Sequence, residues 1–166
     1  MSKIYTKTGD KGFTTLLGVG KISKTHSPIK LLAAIDELNS ILGAVRAFSR
    51  ENALKKYLEM VQNDIFIIQA ELGGFHMKTL NNQKTEKLEK IIDKLSAKIK
   101  DLKRFVLPTG TKIGSLLHLS RAICRKTEIQ AVKYYKKQRF NGEILRYFNR
   151  LSDFLYILAR WENRKT

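Results

Sequence analysis

Four polar side chains recur at helical spacing within the run IGSLLHLSRAICRKTEIQAV: His118, Arg121, Arg125 and Glu128. Spacings of three and four residues place side chains on one face of a helix, so the four should share one environment. Two guanidinium groups and a carboxylate on an otherwise apolar helix are costly to desolvate unless an opposite charge meets them. The row therefore predicts a binding site for an anion, and the planar fork of an arginine suits phosphate oxygens.

An ion pair between helices is the alternative explanation of this row. Asp36 and Asn39 stand one turn apart and interrupt the apolar pattern of an earlier helix, so they could meet Arg121 or Arg125. Both explanations can hold together, with one arginine held by Asp36 and the other reaching a phosphate oxygen. His118 gains no role in either explanation, and we predict a packed histidine rather than a ligand.

Two further segments can add polar groups to the same site. In the stretch YFNRLSDFLY, Asn149 and Asp153 form a polar pair four residues apart, beside Arg150. The N-terminal run YTKTGDKGFTTLLGVGKISK combines glycines, which let a backbone approach a ligand closely, with hydroxyls and positive charges. Its polar residues include Thr6, Thr8, Thr14, Thr15, Lys7, Lys11, Lys21 and Lys24. This composition suits a phosphate cradle, although a solvated basic arm has the same composition.

Five helices are predicted to position these residues, behind a segment of loop or short strand at residues 1–27. Apolar residues recur at alternating spacings of three and four through each helix, a pattern typical of a bundle. The predicted fold is therefore all-α, an antiparallel five-helix bundle in a single domain spanning 1–166. The predicted helices are 28–48, 52–72, 84–102, 109 or 111 to 137, and 144–162. The predicted end signals are Ser27 with Pro28, Pro108 in the hinge RFVLPTGT, Thr109 or Thr111 as a cap, and Asn141-Gly142 closing the fourth helix.

Composition leaves two rival functions open. The 166 residues include 32 Lys and Arg against 15 Asp and Glu, a formal charge of +17 that attracts polyanions. A helical module that binds nucleic acid is therefore one rival. A scaffold protein without a ligand is the other. Much of the charge lies in Glu/Lys-rich segments such as KTEKLEKIIDKLSAKIKDLK, where a solvated outer face is the simpler explanation.

The single cysteine, Cys124, lies in an apolar helical pattern and is predicted to be a small buried hydrophobe. It excludes an intramolecular disulfide framework and favours a reducing, cytoplasmic location. The N-terminus lacks the apolar region of a signal peptide, and no run reaches the length of a membrane span. We therefore expect a soluble protein with no membrane partner.

No resident metal site is predicted. Di-iron bundles require Glu-x-x-His on two helices, and this chain contains no such motif. His26, His76 and His118 stand too far apart, with too few carboxylates nearby, to indicate a zinc site. The phosphate-binding motifs G-x-x-x-x-G-K-[ST] and G-x-G-x-x-G are also absent.

Five motifs, in order along nearly the whole chain, resemble the PduO-type ATP:cob(I)alamin adenosyltransferase family. They are YTKTGDKG, AIDELNSILG (34–43), FVLPTG (105–110), LHLSRAICRKTE (117–128) and FNRLSDFLYILARWEN (148–163). The resemblance implies a five-helix bundle that forms a homotrimer, with active sites between neighbouring subunits. It also implies transfer of the 5′-deoxyadenosyl group of ATP to the cobalt of reduced cob(I)alamin, giving adenosylcobalamin and triphosphate. ATP would be the co-substrate, Mg²⁺ the cofactor and cobalamin the substrate.

The resemblance assigns site residues position by position. Residues 1–27 would form a nucleotide-binding loop segment in front of the bundle at 28–166. Arg125, Asn149 and Phe105 would be catalytic, with Phe105 crowding the lower face of cobalt and keeping the corrinoid without its axial base. Asp36 and Arg121 would form an intersubunit salt bridge. ATP would be bound by Thr6, Lys7, Thr8, Gly9, Asp10, Gly12, Lys24, Arg125, Glu128 and Asn149.

The resemblance further implies a reductase and an adenosylcobalamin-dependent acceptor enzyme as partners, and no nucleic acid. The chain also departs from the usual form of the family. Thr109 stands where glycine is common, Lys126 where a second consecutive arginine is common, and GVGKISK replaces a Gly-Gly-x-Arg-type run. We expect local contacts at these positions to differ from those of the family.

Overall fold

The computed structural model describes residues 4–75, 78–100 and 107–164. Within these residues a two-stranded sheet precedes five helices. The strands are β1 (Phe13–Leu16) and β2 (Gly20–Ser23), and the helices are α1 (Ser27–Phe48), α2 (Asn52–Leu72), α3 (Asn82–Ser96), α4 (Lys112–Lys137) and α5 (Glu143–Asn163). The predicted helical bundle behind a segment of loop and short strand is therefore confirmed.

The helices alternate in direction along the chain. Short connections at 49–51 and 138–142 make α1 antiparallel to α2, and α4 antiparallel to α5. In contrast, α3 and α5 pack side by side in the same direction. Arg150 meets Glu89, and Arg160, further along α5, donates to the carbonyl of Lys100, which follows α3. The five helices thus run up, down, up, down, up, with two upward helices in contact.

The core consists of the apolar stripes that the sequence periodicity marks out. Residues such as Leu38, Leu58, Leu88, Leu117 and Leu155, one from each helix, have no exposed surface. Apolar burial of this kind is the main source of stability in a helical domain. None of the helices in the part of the chain that the structure describes is long and apolar enough to span a membrane.

The N-terminal strands form a hairpin that lies on the end of the bundle where α1 begins and α2 ends. β1 and β2 are antiparallel, with Phe13 paired to Ser23 and Leu16 to Gly20. The carbonyl oxygen of Leu17 would lie 2.7 Å from a Cβ on Gly74, just beyond α2. Close backbone approach at this glycine therefore sets the hairpin against the bundle.

Two predicted helix starts need correction and one is confirmed. α1 begins at Ser27, with His26 rather than Ser27 as N-cap. α4 begins after Thr111, whose hydroxyl accepts a hydrogen bond from the Gly114 amide at 2.9 Å, so Thr111 rather than Thr109 is the cap. α3 begins at Asn82, two residues before the predicted start.

Two predicted helix ends also need correction, whereas the bounds of α2 match the prediction. α3 ends at Ser96, not at residue 102, because the chain turns at Ala97 and Lys98. The pair Asn141-Gly142 does not close α4, which ends at Lys137. It begins α5 instead, since Gly142 is the N-cap and the Asn141 side chain accepts from the Glu143 amide at 3.1 Å.

Candidate active site

The polar row on α4 runs from buried to exposed. His118 is 5% exposed, Arg121 and Glu128 are half-buried, and Arg125 is exposed. The four side chains therefore differ in exposure, contrary to the expectation of one shared environment. The exposed guanidinium of Arg125 is the group that can meet a ligand at least desolvation cost.

His118 is a packed histidine, as predicted. Its ring lies 6.1 Å from that of Tyr156 on α5. Burial, helped by the nearby charge of Arg121, lowers the pKa of His118, so the ring is neutral at neutral pH. Its Nδ1 atom and the Nε atom of Arg121 are shielded from solvent and accept or donate no hydrogen bond within the described chain.

Glu128 and Asn149 meet across the contact between α4 and α5. The Asn149 Nδ2 atom donates to the Glu128 Oε1 atom at 3.0 Å. Arg125 lies almost one turn before Glu128 on α4, and no ion pair among the residues that the structure describes involves it. The structure thus brings a paired carboxylate and amide to the same side as an unpaired cation.

Asn149 and Asp153, four residues apart on α5, have different partners. Asn149 turns to Glu128, whereas Asp153 accepts from the guanidinium of Arg150 at 2.8 Å. Arg150 also donates through Nε to Glu89 on α3 at 3.0 Å. The Arg150 side chain therefore ties α5 to α3 beside a groove of about 490 Å³.

The interhelical ion pair that could have explained the row does not involve Asp36. Asp36 is exposed, and the described residues hold no ion pair between it and either arginine. The pair between α1 and α4 uses the next residue of each helix, with Lys126 Nζ 3.1 Å from Glu37 Oε2.

The N-terminal loop forms a set of turns fastened by Lys24. The ammonium group of Lys24 donates to the carbonyl oxygen of Gly9 at 2.9 Å. The backbone amide of Lys24 donates to the carbonyl oxygen of Gly12, also at 2.9 Å. The hydroxyls of Thr6 and Thr8 lie 2.7 Å apart. Lys7 has a backbone φ of 61°, a left-handed conformation that is uncommon for a residue with a side chain. Such strain is typical of binding loops.

The described residues give no polar link between the N-terminal loop and the group on α4 and α5. No hydrogen bond or ion pair in the described ranges joins residues 4–26 to Arg125, Glu128 or Asn149. The residues that the structure describes also contain no cluster of three or more His, Cys, Asp and Glu side chains able to hold a metal ion.

A family model described as cobalamin adenosyltransferase matches residues 4–162. The chain belongs to this family. A corrinoid adenosyltransferase from Bacillus subtilis is 37% identical over 174 residues, covering 99% of this chain and 88% of the relative. The corrinoid adenosyltransferase PduO of Salmonella typhimurium is 32% identical, and the match covers 96% of this chain but 49% of that longer protein.

Solved structures of the family share the fold. A variant of the PduO-type ATP:corrinoid adenosyltransferase from Lactobacillus reuteri, complexed with cobalamin and ATP, has a TM-score of 0.93 and 32% identity. The match covers 98% of this chain and 94% of that one. A second variant of the same enzyme, complexed with ATP, has a TM-score of 0.92, 33% identity and coverage of 97% and 94%.

Two departures from the usual family sequence have a structural account. Among the described residues with side chains, Lys7 alone has a positive φ, so Thr109 adopts a conformation open to any residue and glycine is not required there. Lys126 keeps the positive charge of the usual arginine and forms an ion pair with Glu37. Phe105, assigned to the corrinoid by resemblance, and His76 lie outside the described residues.

Sequence reasoning missed one buried polar cluster. The Asp64 carboxylate, 1% exposed on α2, accepts from the Tyr147 hydroxyl at 3.1 Å and lies 2.7 Å from Lys84 Nζ. Burial, reinforced by Asp64, raises the pKa of Tyr147 well above its usual value, so the hydroxyl keeps its proton. Burial likewise raises the pKa of Cys124, whose thiol is buried as predicted.

Proposed function

We propose that the chain transfers the 5′-deoxyadenosyl group of ATP to the cobalt of a reduced corrinoid, giving adenosylcobalamin and triphosphate. The observation that carries this proposal is the family match over residues 4–162, which includes both halves of the candidate site. Related enzymes of known structure bind ATP and cobalamin. Binding of nucleic acid would not require the five family motifs. We assign the high positive charge to the solvated surface of the helices.

In this reaction the protein has to align cobalt with the 5′ carbon of ATP and to stabilise the negative charge on the departing triphosphate. The lone pair of Co(I) attacks the 5′ carbon of ATP, the Co–C bond forms as the C–O bond breaks, and triphosphate leaves with the bonding pair. Cobalt is formally oxidised from Co(I) to Co(III). Because cobalt itself is the nucleophile, no side chain has to act as one. Alignment of attacker and carbon can lower such a barrier by about 7–11 kcal/mol.

Arg125 stabilises the departing charge in this proposal. Its exposed, unpaired guanidinium can form two parallel hydrogen bonds to phosphate oxygens. Lys7 and Lys24 supply further positive charge from the N-terminal loop, and the hydroxyls of Thr6 and Thr8 supply donors. Fixed charges of this kind stabilise a leaving group without reorganisation at the moment of reaction.

Mg²⁺ is proposed to enter with the phosphates of ATP. Magnesium is usually held by one or two carboxylates together with substrate phosphates, not by an all-protein cage. The carboxylate of Glu128 and the amide oxygen of Asn149 are suitable ligands, and the Asn149 Nδ2 atom holds Glu128 Oε1 at 3.0 Å. When bound, the ion would neutralise part of the triphosphate charge.

A homotrimer with sites between subunits would join the two halves of the site. Among the residues that the structure describes, no hydrogen bond or ion pair joins the N-terminal loop to the Arg125 group, and none involves Asp36 or the Nε atom of Arg121. Exposed apolar side chains also lie along α4, namely Leu119 at 49%, Ile129 at 55% and Val132 at 36% exposure. Apolar exposure around unpaired charges is typical of an interface.

Mixing two inactive variants tests the shared site. Arg125→Ala removes the half on α4, and Lys7→Ala with Lys24→Ala removes the half on the loop. If one site takes its halves from two subunits, refolding the variants together restores activity at a minority of sites. If each chain carries a complete site, the mixture stays inactive and the intersubunit proposal fails.

An anaerobic assay tests the reaction itself. The protein is mixed with ATP, Mg²⁺ and chemically reduced cobalamin, and the absorption spectrum is followed. The expected product has a Co–C bond that light cleaves, and triphosphate appears in equal amount. Absence of both products under these conditions would contradict the proposed function.

A reductase must supply Co(I), and an enzyme that uses adenosylcobalamin must accept the product. We place the reaction in the reducing cytoplasm, supported by the single, buried and unpaired Cys124.

A further inference from the structure

Two polar side chains on the buried side of α4 join this helix to its neighbours at the level of Arg125. Thr127 has no exposed surface, and its hydroxyl donates to the carbonyl oxygen of Ala34 on α1 at 3.1 Å. The Cys124 thiol donates a weak hydrogen bond to the carbonyl oxygen of Phe148 on α5 at 3.5 Å. This turn of α4 is therefore hydrogen-bonded to both adjoining helices.

The hydroxyl of Thr127 has one proton for two acceptors. It also lies 3.0 Å from the carbonyl oxygen of Ile123, one turn back in α4, which is the bond that a threonine within a helix ordinarily makes. The bond to Ala34 forms only at one position of α4 against α1, because a hydrogen bond needs a defined distance and angle. Apolar contacts are non-directional and restrict sliding of the helix less.

The place of Arg125 depends on the position of α4 more than that of Glu128 does. The Glu128 carboxylate is held directly by the amide of Asn149 on α5 at 3.0 Å. Among the residues that the structure describes, no hydrogen bond or ion pair holds the guanidinium of Arg125. The α4 backbone and the rotamer of Arg125 therefore determine where this charge lies.

A second polar contact between α1 and α4 at this level is weaker as a constraint. The ion pair of Lys126 with Glu37 is solvent-exposed, and exposed pairs hold their side chains loosely. The bond from Thr127 to Ala34 is shielded from water, which would otherwise compete for both partners.

We propose that Thr127 is a positioning residue for Arg125. Its hydrogen bond to Ala34 keeps α4 where the Arg125 guanidinium meets the departing triphosphate. This inference rests on the proposed function, and it assigns Thr127 no contact with ATP. A displacement of about 1 Å at a group that stabilises a transition state lowers the rate by up to about 100-fold, so loss of the hydroxyl should reduce the rate.

Two substitutions at Thr127 separate positioning from stability. Thr127→Val keeps the shape of the side chain and removes the donor, and we expect the single-turnover rate at saturating ATP to fall about tenfold. Thr127→Ser keeps the donor and removes a methyl group, and it should recover most of the rate. Both variants should lower the melting temperature by about 2–4 °C, the first through the lost hydrogen bond and the second through a small cavity.

Thr85 on α3 provides a matched control. It too has no exposed surface, but its hydroxyl forms no hydrogen bond within the described part of the chain. Thr85→Val should therefore leave the rate unchanged and keep or raise the melting temperature, since it replaces an unsatisfied hydroxyl with a methyl group. A tenfold loss of rate here would overturn the proposal, because valine at any buried threonine would then slow the reaction.

A double-mutant cycle tests whether Thr127 acts through Arg125. In an Arg125→Ala background the charge to be positioned is gone, so Thr127→Val should lower the remaining rate by less than about twofold. A further tenfold loss would show that Thr127 acts by another route.

The outcomes distinguish this inference from the proposed function. A wild-type protein that forms no adenosylcobalamin would overturn both. An active wild-type protein whose Thr127→Val variant keeps the full rate, or whose Thr127→Ser variant is as slow as Thr127→Val, would overturn only the positioning role.

Discussion

The carboxylate of Asp64 and the guanidinium of Arg125 lie in the same bundle under opposite conditions. Asp64 is buried, and both of its oxygens are engaged, one by Tyr147 and the other by Lys84. Arg125 is exposed, and the described chain gives it no ion-pair partner. A buried charge must be paired to be tolerated, whereas an exposed charge left unpaired costs little and stays available for a ligand.

The difference indicates which polar groups serve the fold and which serve binding. Removal of a group from the paired cluster should damage stability and leave the chemistry of folded protein intact. Removal of the unpaired group should do the reverse. Measuring both properties for each variant therefore tests the assignment directly.

Asp64→Ala should have the largest effect on stability. It leaves the Tyr147 hydroxyl and the Lys84 ammonium without their buried acceptor, so we expect a loss of about 3–5 kcal/mol in the free energy of unfolding. Urea denaturation measures this loss. Asp64→Asn, which keeps one acceptor oxygen for Tyr147, should lose less, and an equal loss would mean that the hydrogen bond contributes nothing.

Arg125→Ala should have the largest effect on activity. Loss of a fixed positive charge at the leaving group should reduce kcat about 10²–10³-fold, while the urea midpoint stays within error of wild type. Single-turnover kinetics with saturating ATP and reduced cobalamin measure the rate. A variant that unfolds early, or that keeps wild-type kcat, would break the contrast with Asp64.

Gly114→Ala should sharpen the comparison at a third, uncharged site. The new methyl group overlaps the amide of Asn163, and overpacking of this kind costs about 1–3 kcal/mol. In an Asn163→Ala background the same change should instead stabilise α4, since alanine exceeds glycine in helix propensity by about 1 kcal/mol. A double-mutant cycle from thermal unfolding measures the reversal of sign, and additive effects would contradict the close contact.

His118 should give a pH dependence of moderate size. Its pKa is lowered in the folded protein, so the unfolded chain binds the extra proton first as the pH falls. The contribution to stability is complete above the unfolded pKa of about 6.5 and is lost as the pH falls toward the folded value. Urea unfolding from pH 8 to pH 5 should show this slope, and His118→Gln should flatten it.

Lys126→Ala should have the smallest effect. The pair with Glu37 is exposed, and such pairs contribute at most about 1 kcal/mol, less in high salt. Both stability and kcat should stay near wild type, which makes this variant the neighbouring control for Arg125→Ala. A large loss of activity here would mean that positive charge near the site matters more than the individual guanidinium.

The sequence predicted the bounds of a helix correctly where the spacing of its apolar residues was unbroken. The bounds of α2 match because its apolar residues recur without interruption and the pair Gly73-Gly74 follows the last of them. The end of α3 was wrong because Ile99 continues the apolar spacing after the chain has already turned at Ala97. Asn141-Gly142 was misassigned because asparagine and glycine are favoured at both ends of a helix.

Site residues were predictable as a set but not as pairs. Family motifs identified Glu128 and Asn149, which the structure joins. Residue type could not distinguish Glu37 from Asp36 as the carboxylate that meets α4, since adjacent residues point in different directions from a helix. Asp64 was missed because a single acid within an apolar repeat carries no sign of the partners that a distant helix will supply.

The alternation of an odd number of helices has an electrostatic consequence. In the described part of the chain, three helices (α1, α3 and α5) begin at the end of the bundle that carries the hairpin, and two (α2 and α4) end there. Each helix start carries roughly half a positive charge and each helix end roughly half a negative one, so these contributions do not cancel. The scaffold itself therefore adds a small surplus of positive potential beneath the lysine-bearing loop, before any side chain is considered.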